Sequence, residues 1–290
     1  MKNNLPLIVI VGPTASGKTA LAIKLAKRYG GEIICADSRT IYKGLDIGTA
    51  KPTLAERATV PHWGLDLVEP GDYFSVADFK EYALKKIEEI RLRGKIPFLV
   101  GGSGLYIDSV IFDFNFGKNV DKDVRKILNS LTLTELREHC NKNNIKLPEN
   151  DKNRRYVIRA IENFGSRPSK LNQPIEGSII VGMMIDKTEL RTRIEKRSEQ
   201  LFNDGVVEEA RILGKKYGWG SEALKGNVYP LAHAYLQGKI DFDEMKMNYS
   251  ILDWRLAKRQ ITWFKRNKYI KWLSPDEASV YISNLLAKPA

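Results

Sequence analysis

Leu7-Ile-Val-Ile-Val11 runs directly into Gly12-Pro-Thr-Ala-Ser-Gly-Lys18-Thr19, and the residues from Lys18 to Tyr29 then place side chains at helical spacing at Leu21, Leu25 and Tyr29. A short apolar run, a glycine-rich loop and a helical period predict strand, loop and helix in that order. The loop matches G-x-x-x-x-G-K-[ST] in the context that motif requires. In such a loop the backbone N–H groups and the helix N-terminus surround a diphosphate, so Gly12, Pro13, Thr14, Ala15, Ser16, Gly17, Lys18 and Thr19 are the candidate diphosphate-binding residues. Lys18 adds a point charge, and the Thr19 hydroxyl can ligate Mg²⁺. A glycine-rich turn without a ligand is the alternative reading, and the strand and helix around the loop argue against it.

Outward from this loop, similar short apolar runs recur at Glu32 to Ala36, Ile96 to Val100 and Ile179 to Ile185, separated by segments long enough for helical crossovers. Buried parallel strands have this pattern, and it predicts an α/β fold: a doubly wound parallel sheet around a P-loop. The rhythm breaks from about Lys118 to Gln173, where Thr134 to Asn143 and Asn153 to Phe164 have helical spacing and no strand is evident. Residues 118–175 therefore read as a helical insertion between core segments 1–117 and 176–290. The chain is helical again from Lys187, turn-rich around Gly214 to Gly226, and strongly helical from about Phe242 to Asn267. Tyr269 to Leu273 is expected as an edge strand. No internal repeat is present.

The chain has 290 residues, 43% hydrophobic and 28% charged, an ordinary globular balance that excludes extensive disorder. No run approaches a membrane span, and Leu7 to Val11 is too short for a signal peptide, which predicts a cytoplasmic location. Cys35 and Cys140 are too few for a disulfide framework or a zinc site, so reduced thiols are expected. The net charge of +12 favours a polyanionic partner. Between Lys246 and Lys271 eight basic residues, Arg255, Lys258 and Arg259 among them, face a single acid, Asp253. A nucleic acid is the partner class this predicts; a solvated basic helix face is the alternative.

Asp37 follows the second strand directly and should lie at its carboxyl end, near the phosphate loop, unless it merely caps a helix. The third strand ends in Gly101-Gly102-Ser103 where a nucleoside triphosphatase needs an acid for its metal. That argues against an ATP-driven motor and leaves an ATP-binding small-molecule kinase possible.

Gly12-Pro-Thr-Ala-Ser-Gly-Lys-Thr19, Ala36-Asp-Ser-Arg39, Tyr42-Lys-Gly-Leu-Asp-Ile-Gly-Thr-Ala-Lys-Pro52, Val60-Pro-His62, Gly101-Gly-Ser-Gly-Leu-Tyr106 and Ala257-Lys-Arg-Gln-Ile-Thr-Trp-Phe264 together resemble the bacterial tRNA dimethylallyltransferases. The match runs in order from the first strand to about Leu273. The resemblance implies transfer of dimethylallyl from dimethylallyl diphosphate to N6 of adenine 37, in the anticodon stem-loop of tRNA, with magnesium and without a membrane. A monomer is expected. The family's RNA contacts map onto Asp37, Ser38, Arg39, Thr40 and Ser103, onto Arg155 and Arg159 in the insertion, and onto Lys258, Arg259 and Gln260. The chain departs from the family's pattern at Thr40, usually Gln, and at Ser103, usually Thr. It departs again at Asn227-Val-Tyr-Pro-Leu231, and at Asp253-Trp254 where the family has Thr-Arg. At Asn227 to Leu231 a contact to diphosphate or RNA is either absent or left to Lys225.

The N6 amine of adenine is a poor nucleophile and must lose a proton as the C–N bond forms, which makes Asp37 the candidate general base. Lys18, the loop amides and Mg²⁺ on Thr19 would stabilise the departing diphosphate. An adenylate dimethylallyltransferase would share this chemistry, while a small-molecule kinase would leave the basic helix unexplained and an RNA-binding module would leave Lys18, Thr19 and Asp37 idle.

Overall fold

β1 (Leu7–Val11) is buried along its whole length, as a strand covered on both faces must be. The computed structural model describes residues 5–117, 122–164 and 169–287. α1 (Lys18–Tyr29) follows the phosphate loop and ends at Gly30 in the left-handed conformation, leading into β2 (Gly31–Cys35). Next come α2 (Leu54–Thr59), β3 (His62–Trp63), α3 (Val76–Leu92), β4 (Ile96–Gly101) and α4 (Gly104–Ile111). After the insertion the chain makes β5 (Ser178–Met183), with helices of the insertion being α5 (Lys122–Ser130), α6 (Leu133–Lys142) and α7 (Arg154–Glu162). The C-terminal half carries α8 (Lys187–Asn203), α9 (Val206–Tyr217), a 3₁₀ turn at Glu222–Lys225, α10 (Val228–Leu236), α11 (Phe242–Phe264), β6 (Lys271–Leu273) and α12 (Pro275–Leu286).

The strands form one parallel sheet in the order β3-β2-β4-β1-β5-β6. After β1 the chain crosses to one side of the sheet and fills the other side only later. The carboxyl ends of β1, β4 and β2 thus border the crevice where such sheets bind ligands. Leu21, Leu25 and Ala26 of α1 pack with Ile8, Ile10, Phe98 and Val100 of the sheet, and Ala278 and Ile282 of α12 join the same cluster. Burying each of the leucine, isoleucine, valine and phenylalanine side chains is worth about 1.5–3 kcal/mol. The sheet and its helices form one compact unit, residues 1–111 and 174–290. No described helix is long and apolar enough to cross a membrane.

The second compact unit is Phe112–Gln173. The expected start at 118 lies outside the described residues. The unit starts before the expected 118 and ends two residues short of the expected 175, and its two connecting segments pair: Asn115 and Ser169 exchange backbone hydrogen bonds of 2.7 and 3.0 Å, and Leu171 N donates to Phe112 O. Its own core is Leu128, Leu136, Cys140, Ile145, Val157 and Ile158. α5 was not anticipated from sequence. β5 sits two residues earlier at its carboxyl end than expected, and β6 is the parallel edge strand expected there.

Candidate active site at the phosphate loop

At the carboxyl ends of β1, β2 and β4 a cavity of about 440 Å³ is lined by Thr14, Lys18, Thr19, Cys35, Asp37, Ser38, Arg39, Thr40, Gly102 and Ser103. Its other wall comes from far along the chain: Arg197 of α8, Asn227, and Tyr249, Asp253, Arg259 and Gln260 of α11. Lys18, Thr19 and Arg197 also border a second recess with Ala15, Ser16, Gly17, Arg193 and Lys196. The phosphate loop therefore stands between two spaces. Gly12 and Pro13 line neither; the Pro13 carbonyl instead accepts a 2.6 Å hydrogen bond from Lys18 Nζ. α1 starts at Gly17 without a side-chain cap, leaving its first N–H groups for an anion.

Burial, then the positive charge of Arg197, lowers the Lys18 ammonium to about 8, with Asp37 and Asp253 pulling the other way. A buried cation short of counter-charge is what an incoming diphosphate would relieve. Asp37 makes no helix cap: its Oδ1 accepts from Arg39 N at 2.8 Å, an Asx turn that fixes the carboxylate at the cavity edge. The loop after β4 presses against this turn. Ser103 Oγ accepts from Ser38 N at 3.0 Å, and a Cβ on Gly101 would lie 2.0 Å from the Ala36 carbonyl oxygen, so only glycine fits there. Thr40 is buried and its hydroxyl turns to the Asp37 carbonyl, while Arg39 Nη1 donates to the Glu222 carbonyl at 2.7 Å. Burial pushes the Cys35 thiol up to about 12, with Asp37 adding to it, so it stays protonated.

Gln260 is engaged within the protein at both ends of its amide: Oε1 accepts from Thr14 N at 2.8 Å and Nε2 donates to Gly102 O at 3.1 Å. α11 thereby clamps the phosphate loop to the loop after β4. The family resemblance maps Gln260 onto an RNA contact, whereas here both ends of its amide have partners within the protein. Arg259 reaches the cavity, and Lys258 is exposed with Nζ 5.9 Å from the Trp254 ring centroid. Arg155 and Arg159 lie on α7 in the second unit, where Arg159 is 4.0 Å from Glu162.

Two residues that line the cavity were not among the expected site residues. Arg197 Nη1 donates to Thr14 Oγ1 at 2.7 Å, and Asp253 accepts from that hydroxyl at 3.5 Å and from Asn227 Nδ2 at 3.3 Å. Burial holds the Asp253 carboxyl above the usual range against the lowering pull of Arg197. One signal pointed to Asp253: it is the lone acid of a strongly basic stretch, and a lone acid among cations has a structural reason. His62 is held by its Nδ1 against the Val60 carbonyl at 2.7 Å on β3 and does not line the cavity.

The isopentenyl transferase model matches residues 5–62, and the IPP transferase model matches residues 40–267. The tRNA dimethylallyltransferase of Acetivibrio thermocellus is 40% identical over 290 residues, covering 93% of this chain and 92% of its own. The crystal structure of a tRNA isopentenylpyrophosphate transferase from Bacillus halodurans superposes with a TM-score of 0.75 at 36% identity over 97% of this chain and 95% of that one. A Staphylococcus epidermidis counterpart gives 0.73 at 30% identity over 98% and 99%. With the phosphate loop, the Asp37 turn and the α11 clamp all inside the matched length, this chain belongs to the IPP transferase family.

Proposed function

We propose that the chain transfers a dimethylallyl group from dimethylallyl diphosphate to N6 of adenine 37 of tRNA and releases diphosphate. The observation that carries this reading is that Lys18, Thr19 and Asp37 line one cavity, which sets a cation and the anion-binding loop beside a carboxylate.

In the reaction the allylic C–O bond breaks, its electron pair leaves on diphosphate, and N6 forms the new bond to carbon. The N6 proton passes to the Asp37 carboxylate. Lys18 and the N-terminus of α1 stabilise charge growing on the leaving oxygens, the kind of interaction that is stronger in the transition state than in the ground state. Arg197, reaching both spaces, adds a second cation. The target base must leave its stack to enter so small a cavity. Arg259 and Lys258 on α11, with Arg155 and Arg159 in the second unit, are the proposed phosphate contacts of the RNA.

Mg²⁺ suits the donor set here. The Thr19 hydroxyl borders the cavity beside Asp37, and hard oxygen donors completed by substrate phosphate are what this ion prefers. Bound there, it would neutralise diphosphate charge as the C–O bond breaks.

Incubation of the pure protein with labelled dimethylallyl diphosphate and tRNA, AMP or ATP as acceptor tests the proposal. Label is expected in tRNA alone. Label in AMP or ATP at a comparable rate would instead make the free nucleotide the substrate.

A further inference from the structure

The wall facing the phosphate loop is made of turns. Gly48, Thr49 and Ala50 border the cavity that holds Asp37, while Asp46, Ile47 and Lys51 border the recess on the far side of Lys18. Turns at this position have no ladder or helix to fix their backbone, so something else must hold them. Three consecutive N–H groups supply the handle. Those of Asp46 and Ile47 donate to Glu209 Oε2 at 2.8 and 2.7 Å, and that of Gly48 donates to Oε1 at 2.9 Å. Successive N–H groups converging in this way form a nest for an anion, and hydrogen bonds to a charged acceptor are about twice as strong as neutral ones.

The carboxylate is itself oriented. Tyr229 of α10, fully buried, donates to Glu209 Oε1 at 2.9 Å. The loop lies hard against the same tyrosine: a Cβ on Gly48 would sit 2.6 Å from Tyr229 Oη and 2.9 Å from Val228 Cγ1. Lys51 provides a separate hold, from Nζ to the Tyr42 carbonyl at 2.7 Å and to Asp46 Oδ1 at 2.8 Å, but neither bond engages the N–H groups of 46–48. Neither Glu209 nor Tyr229 borders the cavity or the recess.

The geometry assigns to Glu209 the role of a positioning residue: its carboxylate, oriented by Tyr229, fixes the turn at 46–50 as the wall against which the substrates are aligned with Lys18 and Asp37. The assignment rests on the transfer reaction proposed above. A wall displaced by about 1 Å can cost about 100-fold in rate without abolishing binding.

The test is a series of variants in the full chain: Glu209→Gln, Glu209→Ala and Tyr229→Phe. Gln keeps one acceptor oxygen, so it should retain part of the hold. Single-turnover transfer to tRNA is expected to fall in the order wild type, Gln, Ala, reaching roughly 10 to 100-fold for Ala. KM for tRNA should stay within about threefold, because distributed phosphate contacts set it. Amide hydrogen exchange at residues 46–48 should speed up in step with the loss of rate, and Tyr229→Phe should show a smaller effect on both. Exchange needs no substrate, so if wild-type protein fails to modify tRNA the functional reading falls while the hold of Glu209 on the turn is still measured. Unchanged exchange in Glu209→Gln and Tyr229→Phe would overturn the assignment even if Glu209→Ala does not fold. Faster exchange with undiminished transfer would overturn it as well, by showing that the turn is held for stability alone.

Discussion

Lys18, Thr19, Asp37 and Ser103 line one side of the cavity from strand ends and the loops directly after them, whereas Arg197, Asp253 and Gln260 line the other from α8 and α11. The first wall is built locally, by an Asx turn two residues long and a loop that leads straight into its helix. The second touches the first across sequence separations of 158 to 246 residues: Arg197, Asp253 and Gln260 all meet Thr14, and Gln260 also donates to the Gly102 carbonyl. The difference separates two jobs. On the proposed reading the local wall carries the proton acceptor and most of the diphosphate site, while the remote wall positions it and adds the Arg197 cation. Removing chemistry should cost more than removing placement.

Asp37→Asn is the most severe test of that division. Asparagine keeps the oxygen that accepts from Arg39 N, so the turn survives, but it cannot take the proton from N6. General-base catalysis contributes about 10² to 10⁴-fold, so single-turnover transfer at saturating dimethylallyl diphosphate should drop at least about 100-fold. Affinity for tRNA in a filter-binding titration should hardly move. Transfer at near wild-type rate would demote Asp37 to a turn residue and send the search for the base elsewhere.

Gln260→Leu probes the remote wall. The variant strands Thr14 N and Gly102 O without their partners, each bond being worth about 1 kcal/mol net and more when a buried group is left unsatisfied. A loss of about 10-fold in kcat is expected from a loosened phosphate loop, with thermal stability lowered and tRNA affinity nearly unchanged. If tRNA affinity falls by the larger factor while chemistry at saturating tRNA is intact, Gln260 is an RNA contact and the clamp is incidental.

The same contrast explains what the sequence made readable. The phosphate loop, the parallel strands and Asp37 are legible because strand, loop and helix succeed one another within a few turns of chain, and a motif reading samples that range. α10 was not expected from sequence, and its Pro230 is the third residue of the helix, where no intrahelical N–H is required. α12 did announce itself through Ser274-Pro-Asp-Glu277, a capping box with proline at the first helical position. It was missed because only Ala278 and Ile282 of the helix are buried, too few to set up a period. Arg197 has no such signal. It lies among five arginines and lysines of α8, and only the packing of that helix beside the phosphate loop distinguishes it from its exposed neighbours.

Lys18 is where the two walls can be weighed against each other, with the smallest and most graded effect. Burial lowers its ammonium first and Arg197 second, to about 8 in the free protein. Diphosphate binds the protonated form. Diphosphate has its own ionisations in this range, so the contribution of Lys18 is read as the ratio of wild-type to Lys18→Met affinity: below about pH 8 the ratio should be flat, and above that break binding must recapture the lysine proton and the ratio should fall up to about tenfold per pH unit, each unit being 1.36 kcal/mol. Calorimetry with inorganic diphosphate at pH 8.5 in two buffers of different ionisation enthalpy should therefore report proton uptake. Lys18→Met should show only the proton exchange that belongs to diphosphate itself, so the lysine's share is the difference between the two proteins. Arg197→Gln removes the second cause and leaves burial in place, so Lys18 should keep its proton to a higher pH. The break should then move up by a fraction of a unit, even as the lost cation weakens binding at every pH. A break that stays where it was in Arg197→Gln would mean that the remote wall leaves the charge of Lys18 untouched and acts on the phosphate loop through position alone.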